Sequence, residues 1–262
     1  MVDFQCKPHY SYEDFLEVMR LLRTPGGCPW DAEQTHESIR RNMLEEAYEA
    51  VEAIDEKDPG HLKEELGDVL LQVVFHARMA EEEGLFTLDD VVDGICKKLV
   101  FRHPHVFGTV DARDSGQALN TWDAQKREEK GQRTAADTLD SVARSLPALM
   151  RAEKIQDKAR KAGFDWAEMG PALDKAEEEL GELRQAVEQG ANVEEELGDL
   201  LFAAVKVGRF AGLDSEQTLH GTCEKFIRRF RRVEELAGGR PLDSLGLHRL
   251  EELWQQVKQD EA

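Results

Sequence analysis

The chain carries one acidic pattern twice. Leu44-Glu45-Glu46-Ala47-Tyr48-Glu49 is followed by Glu64-Glu65-Leu66-Gly67-Asp68. Glu177-Glu178-Glu179-Leu180-Gly181-Glu182 is followed by Glu195-Glu196-Leu197-Gly198-Asp199. Further features keep the same order: Lys98-x3-Arg102 matches Lys225-x3-Arg229, and Trp122-x3-Lys126 matches Trp254-x3-Lys258. The spacing is 133 residues for Glu46 and Glu179, 131 for Asp68 and Asp199, 127 for Lys98 and Lys225, and 132 for Trp122 and Trp254. Four features at nearly one offset indicate an internal duplication, so a single module has to fold, twice.

Apolar spacing makes that module helical. Phe15, Val18, Met19 and Leu22 recur at i, i+3, i+4 and i+7, which predicts a helix over 11–23. Leu62, Leu66, Val69, Leu70 and Val73 do the same over 61–82. Asp58-Pro59-Gly60 and Gly190-Ala191-Asn192 read as turns between paired helices. A third helix is expected over 88–102 and 214–237, and a fourth from near 116 and 246. No strand-like alternation competes. The expected fold is all-α, with two tandem modules resembling four-helix bundles. The expected domains are 1–130 and 147–262, with a linker at 131–146 edged by Gly131 and Pro147.

The formal net charge is −20. A nucleic-acid partner would want a basic field, so none is expected. An acidic chain that handles phosphates needs local cations, either metal ions or a few placed Lys and Arg. The cysteines (Cys6, Cys28, Cys96, Cys223) are scattered with no C-x-x-C pair, and no apolar run approaches 18 residues. A reduced, cytoplasmic location without membrane contact is the expectation.

Glu46 and Glu49 are three apart on one helix, and Glu65 and Asp68 three apart on the next. Residues at that spacing share a face. A short turn makes the helices antiparallel neighbours, so four carboxylates face one groove. Glu179, Glu182, Glu196 and Asp199 repeat the arrangement. Facing anions repel. Mg²⁺, or Mn²⁺ in its place, relieves this by taking oxygen ligands and completing its shell with water and phosphate. A single E-x-x-D is usually a solvated helix face, but these acids border an apolar stripe and the pairing occurs twice. A di-iron bundle would carry Glu-x-x-His. The residues three after Glu49, Glu65, Glu182 and Glu196 are Glu52, Asp68, Gln185 and Asp199.

Lys225 and Arg229 share a helix face and form a candidate phosphate clamp, or else part of a solvated basic stretch. Trp254 with Lys258 could stack on a base and hold a phosphate, or pack in the core. His103-Pro104-His105 reads as a structural turn, and Cys28-Pro29-Trp30-Asp31 as a shaped loop.

The E-E-x-x-E and E-x-x-D pairing resembles the all-α nucleoside triphosphate pyrophosphohydrolases. The tandem arrangement is similar to the MazG type of that family. It shares the strings Gly27-Cys28-Pro29-Trp30-Asp31, Arg102-His103-Pro104-His105-Val106-Phe107, Arg144-Ser145-Leu146-Pro147-Ala148-Leu149 and Gly163-Phe164-Asp165-Trp166. The resemblance implies a homodimer that splits ribo- and deoxyribonucleoside triphosphates into monophosphate and pyrophosphate. It also implies house-cleaning of aberrant nucleotides and activity in the C-terminal copy. By that likeness the metal ligands are Glu179, Glu182, Glu196 and Asp199, with Glu46, Glu49, Glu65 and Asp68 a second possible site. Nucleotide contacts fall to Lys175, Glu178, Glu179, Asp199, Lys225, Arg229, Trp254 and Lys258, with Glu178 the candidate to orient or deprotonate water. Two positions depart from the pattern: Asn42 stands where the second copy has Lys175, and Asn192 stands four before Glu196, where a Lys would suit phosphate. The competing expectation is a non-catalytic nucleotide-binding or interaction module.

Overall fold

The computed structural model describes Val2 and residues 4–261. The described residues are helical throughout, with no strand. The chain parts into two compact units, 1–126 and 127–262.

In the first unit, helix α1 (Tyr12–Arg23) starts at a capping box between Ser11 and Asp14. Helix α2 (Pro29–Glu33) is a short helix built from the Cys-Pro-Trp-Asp loop. Helices α3 (Arg40–Glu56) and α4 (Pro59–Glu82) form the closely packed pair that bears the first set of acids. The turn between them is tighter than the Asp58-Pro59-Gly60 signal implied. Lys57 takes the left-handed conformation at φ 58, and Asp58 caps α4 by accepting from the Gly60 and His61 amides. Pro59 and Gly60 are already helical, because proline tolerates a helix's first turn. Helix α5 (Leu88–Arg102) opens on a Thr87–Asp90 capping box. Helix α6 (Pro104–Phe107) follows at once, and α7 (Ser115–Glu129) carries Trp122. The core of this unit is Met19, Ile39, Val74, Phe75 and Met79, which seats α4 against α1. Each such side chain contributes about 1.5–3 kcal/mol on burial.

Residues 131–146 fold with the second unit. They hold helix α8 (Ala135–Asp140), capped by Thr134 and Asp137 and packed on α9 (Ala148–Lys161). Helices α10 (Gly170–Gln189) and α11 (Val193–Phe210) form the second acid-bearing pair. Gly190 at φ 67 and Asn192 at φ 60 both turn left-handed between them, a conformation glycine and asparagine adopt at low cost. Helix α12 (Ser215–Leu236) packs on α13 (Gly246–Asp260) through Val233, Ala237, Leu253 and Val257.

Apolar stripes remain uncovered in the single chain. Val92, Ile95 and Leu99 on α5 are exposed, as are Leu219, Phe226 and Phe230 on α12. Among the described residues no helix is long and apolar enough to cross a membrane.

Candidate active site

Each helix pair brings three of its four expected acids together, and the trio differs: Glu182 stands outside it in the second unit and Asp68 in the first. In the second unit, Glu179 on α10 and Glu196 and Asp199 on α11 offer oxygens that all lie within 4.8 Å of one another. Two ligands on opposite sides of one Mg²⁺ are about 4.2 Å apart, so the gap is close to that of a single ion's shell. Glu179 is only 6% exposed. Glu182, one turn on, is raised in pKa by burial and then by a hydrogen bond with Glu179. That one carboxyl therefore resists ionising beside Glu179, a repulsion a cation would relieve. Lys175 is the cation beside the cluster. Its Nζ lies 2.8 Å from Glu179 Oε1 and 2.9 Å from Glu178 Oε1, and those bonds hold the lysine well above its ordinary pKa.

In the first unit, Glu46, Glu49 and Glu65 offer oxygens within the same 4.8 Å span. Asp68 is near enough that its charge, after burial, raises the Glu46 carboxyl. Glu65 is 7% exposed, and one of its oxygens, Oε2, is buried without a hydrogen-bond partner. Burial, and then Glu49, push its pKa up. Its other oxygen lies 3.2 Å from His61 Nε2, while His61 Nδ1 reaches Glu56 at 3.2 Å. The bond to Glu56 leads the effects that raise the histidine above its ordinary pKa.

The other candidate contacts sit on α12 and α13. Lys225 and Lys258 are exposed and have no ion-pair partner among the described residues. Arg229 is held by Glu261 at 2.7 Å. Trp254 is half-buried, 5.0 Å from the Phe226 ring and packed against the Val233–Leu253 core. Glu178 is exposed beside Lys175. In the first unit, Trp122 has Arg102 over its ring at 5.1 Å and Lys126 at 4.6 Å. His103 joins α5 to α6, its Nδ1 2.6 Å from the Leu99 carbonyl, so the His-Pro-His string does structural work.

Sequence reasoning passed over three features. His61 stands at the repeat position of Asn192, so the offset alone could have flagged it. His36, before α3, and His76, on α4, meet Nδ1 to Nδ1 at 2.7 Å with ring planes 3° apart. Their 5.0 Å centroid separation is the 2.7 Å gap plus one ring radius at each end, so the rings meet edge to edge through those nitrogens. Asp165, quoted above only within a string, is buried between Lys206 and Arg209 on α11.

A duplicated helix pair with an acid cluster on each copy is an all-α arrangement suited to holding divalent ions. The MazG nucleotide pyrophosphohydrolase domain model matches residues 34–107 and 172–233, which are the two acid-bearing segments. The chain is 48% identical over 253 residues to the nucleoside triphosphate pyrophosphohydrolase of Escherichia coli K12, covering 94% of this chain and 96% of that one. It is 43% identical over 249 residues to the nucleoside triphosphate pyrophosphohydrolase/pyrophosphatase MazG of Thermotoga maritima, covering 94% and 95%. The Mycobacterium tuberculosis nucleoside triphosphate pyrophosphohydrolase is 44% identical over 153 residues, 58% of this chain and 45% of that protein. The chain belongs to the MazG nucleotide pyrophosphohydrolase family and is an enzyme of that class.

Proposed function

We propose that the second copy hydrolyses ribo- and deoxyribonucleoside triphosphates between the α and β phosphates, releasing monophosphate and pyrophosphate with Mg²⁺ as cofactor. Mn²⁺ is the other ion that would suit. The observation that carries this is the convergence of Glu179, Glu196 and Asp199 within 4.8 Å beside Glu182 and a lysine. All donors are carboxylate oxygens, which suits a hard divalent ion. When bound, such an ion neutralises phosphate charge and acidifies a coordinated water.

The side chains have separate tasks. Glu179, Glu182, Glu196 and Asp199 hold the ion. Lys175 would hold a phosphate oxygen. Glu178 would orient or deprotonate the attacking water. Lys225 and Lys258, both exposed and unpaired, take phosphate oxygens. Arg229 exchanges Glu261 for phosphate. Trp254 offers its accessible face to the base.

A different reading suits the first copy. Arg102 and Lys126 already cover Trp122, and Asn42 replaces the lysine. That copy acts as a nucleotide-binding regulatory or interaction module, with Glu46, Glu49, Glu65 and Asp68 as a second metal site. The exposed stripes on α5 and α12 support a homodimer, because uncovered apolar helix faces mark contact sites and a second copy would bury them. The acidity argues against nucleic acid as partner. House-cleaning of the nucleotide pool in the cytoplasm completes the proposal.

Product analysis tests it. ATP or dGTP with Mg²⁺ is expected to give monophosphate and pyrophosphate; diphosphate and orthophosphate would assign the wrong bond. Glu179→Ala is expected to end turnover while the helical circular dichroism persists. An active Glu179→Ala enzyme would move the site out of the second copy.

A further inference from the structure

Asp165 lies in the segment between α9 and α10, with its side chain only 9% exposed. Its Oδ2 is 2.6 Å from Arg209 Nη2, and its Oδ1 is 3.2 Å from Lys206 Nζ. Oδ1 also accepts from the Trp166 amide at 3.0 Å. Lys206 Nζ stands 4.2 Å over the Trp166 ring, and the Arg209 guanidinium 4.8 Å over the Phe210 ring. The side chains of both cations are also largely buried, Lys206 at 16% and Arg209 at 12% exposed. Three charges withdrawn from water cost several kcal/mol unless their geometry is held closely. A clasp of this kind tolerates one arrangement and penalises others.

The place of the clasp in the fold gives it a task. The α10–α11 pair is joined at one end by the Gly190–Asn192 turn. The other end has no covalent link between the helices. Asp165 stands five residues before α10 begins, and Lys206 and Arg209 lie in the last turns of α11. The acid cluster sits on the helices between turn and clasp. Asp199 and Lys206, the nearer of the two cations, are separated by seven residues of α11, about 10 Å of helix, and Lys206 is bound to Asp165 instead, so the clasp touches no ligand. The geometry points to Asp165, with Lys206 and Arg209, as positioning residues that set the spacing of α10 against α11 and so the gap into which the carboxylates bind metal. This rests on the metal reading proposed above. Mg²⁺ and Mn²⁺ sites penalise ligands displaced by a fraction of an ångström, so a splayed pair loses affinity while both helices persist.

Sign separates positioning from a simple electric field. Removing Asp165 deletes an anion, and removing Arg209 deletes a cation. A field effect would weaken Mn²⁺ binding in the first case and strengthen it in the second. A lost clasp weakens it in both. The measurement is free Mn²⁺ by electron paramagnetic resonance, titrated into the full chain carrying Glu46→Gln and Glu49→Gln to silence the first cluster. Asp165→Asn and Arg209→Met are each expected to weaken binding about tenfold, the scale seen when groups that orient ligands are removed. Helical circular dichroism should not change. Should Arg209→Met unfold, Arg209→Lys keeps the charge and still loses the guanidinium geometry, and a several-fold loss is expected. Arg209→Met, or Arg209→Lys in its stead, binding Mn²⁺ as tightly as the parent would overturn the inference. Glu179→Gln on the same background separates the two claims. If it still binds Mn²⁺, the metal site itself is misplaced; if it loses Mn²⁺ while the Arg209 variants keep it, the clasp alone fails.

Discussion

The two acid-bearing helix pairs keep the same carboxylates but differ in which cation attends them. In the second pair Lys175 extends from α10 to Glu178 and Glu179. In the first pair that position is Asn42, and the cationic partner is His61 on α4, bonded to Glu65. Asn192 occupies the His61 position in the second pair. One positive group has in effect changed helix and changed chemistry, from an always-charged lysine to a histidine whose charge depends on pH. The tryptophans diverge too. Trp122 is covered by Arg102 and Lys126, whereas Trp254 meets only Phe226 and core side chains. The open ends are closed by an ion triad around Asp165 in one copy and by the His36–His76 bond in the other. Ligand carboxylates alone therefore do not assign a role to a copy. The cations around them do.

The sharpest way to break this comparison is to neutralise equivalent acids. Glu196→Gln is expected to reduce kcat/KM by about a thousandfold, the several kcal/mol that metal-assisted charge neutralisation supplies. Glu65→Gln, its counterpart, is expected to change kcat/KM less than about threefold. Equal losses would make the first copy a partner in catalysis. Removing divalent ions with EDTA is expected to abolish pyrophosphate release, restored by Mg²⁺; turnover that survives chelation would leave the carboxylates without their proposed task.

The cation exchange predicts a smaller effect. Lys175→Met is expected to cost about 10–100-fold in kcat/KM, the worth of one charge-assisted bond to phosphate at roughly 1.5–3 kcal/mol. Asn42→Lys installs the missing cation in the first copy and is expected to raise its ATP affinity in a Glu179→Ala background, measured by calorimetry. No change there would show that the covered Trp122, rather than the missing lysine, limits that copy.

The helical class and the duplication were legible because each rests on a short-range rule, helical period or a fixed offset, and i to i+3 facing anticipated three of the acids that meet in each copy. The starts of α5, α7 and α13 also fell at or beside the expected 88, 116 and 246. The Asp58–Gly60 turn was placed one residue late because proline serves as well inside a helix's first turn as in a loop. His36–His76 and Asp165–Arg209 join residues 40 and 44 apart, and no local pattern announces such pairs. The Glu261 grip on Arg229 was equally hidden, 32 residues away.

The smallest effect separates the two clasps by pH. Burial, and then the charge of His36, hold His76 below its ordinary value of 6.5. A base with a depressed folded pKa stabilises the fold in its neutral form, so its contribution is present above about 6.5 and is lost as pH falls toward the folded value. Asp165 behaves differently. Burial pushes its carboxyl up, but hydrogen bonds from Lys206 and Arg209 more than reverse this, and it ends below its ordinary 3.8. Its contribution is present above 3.8 and is lost only as pH falls through that lower value. Near pH 5 the first clasp is therefore weakened and the second intact. Amide exchange in α3 and at the facing end of α4 is expected to accelerate between pH 7 and 5 after correction for intrinsic rates, while α10 and α11 hold. His76→Phe, which cannot make that bond, is expected to lower Tm at pH 7 by on the order of 2 °C and to remove most of that pH dependence. Equal loosening of both pairs over this range would mean that the two ends are not closed by different chemistry.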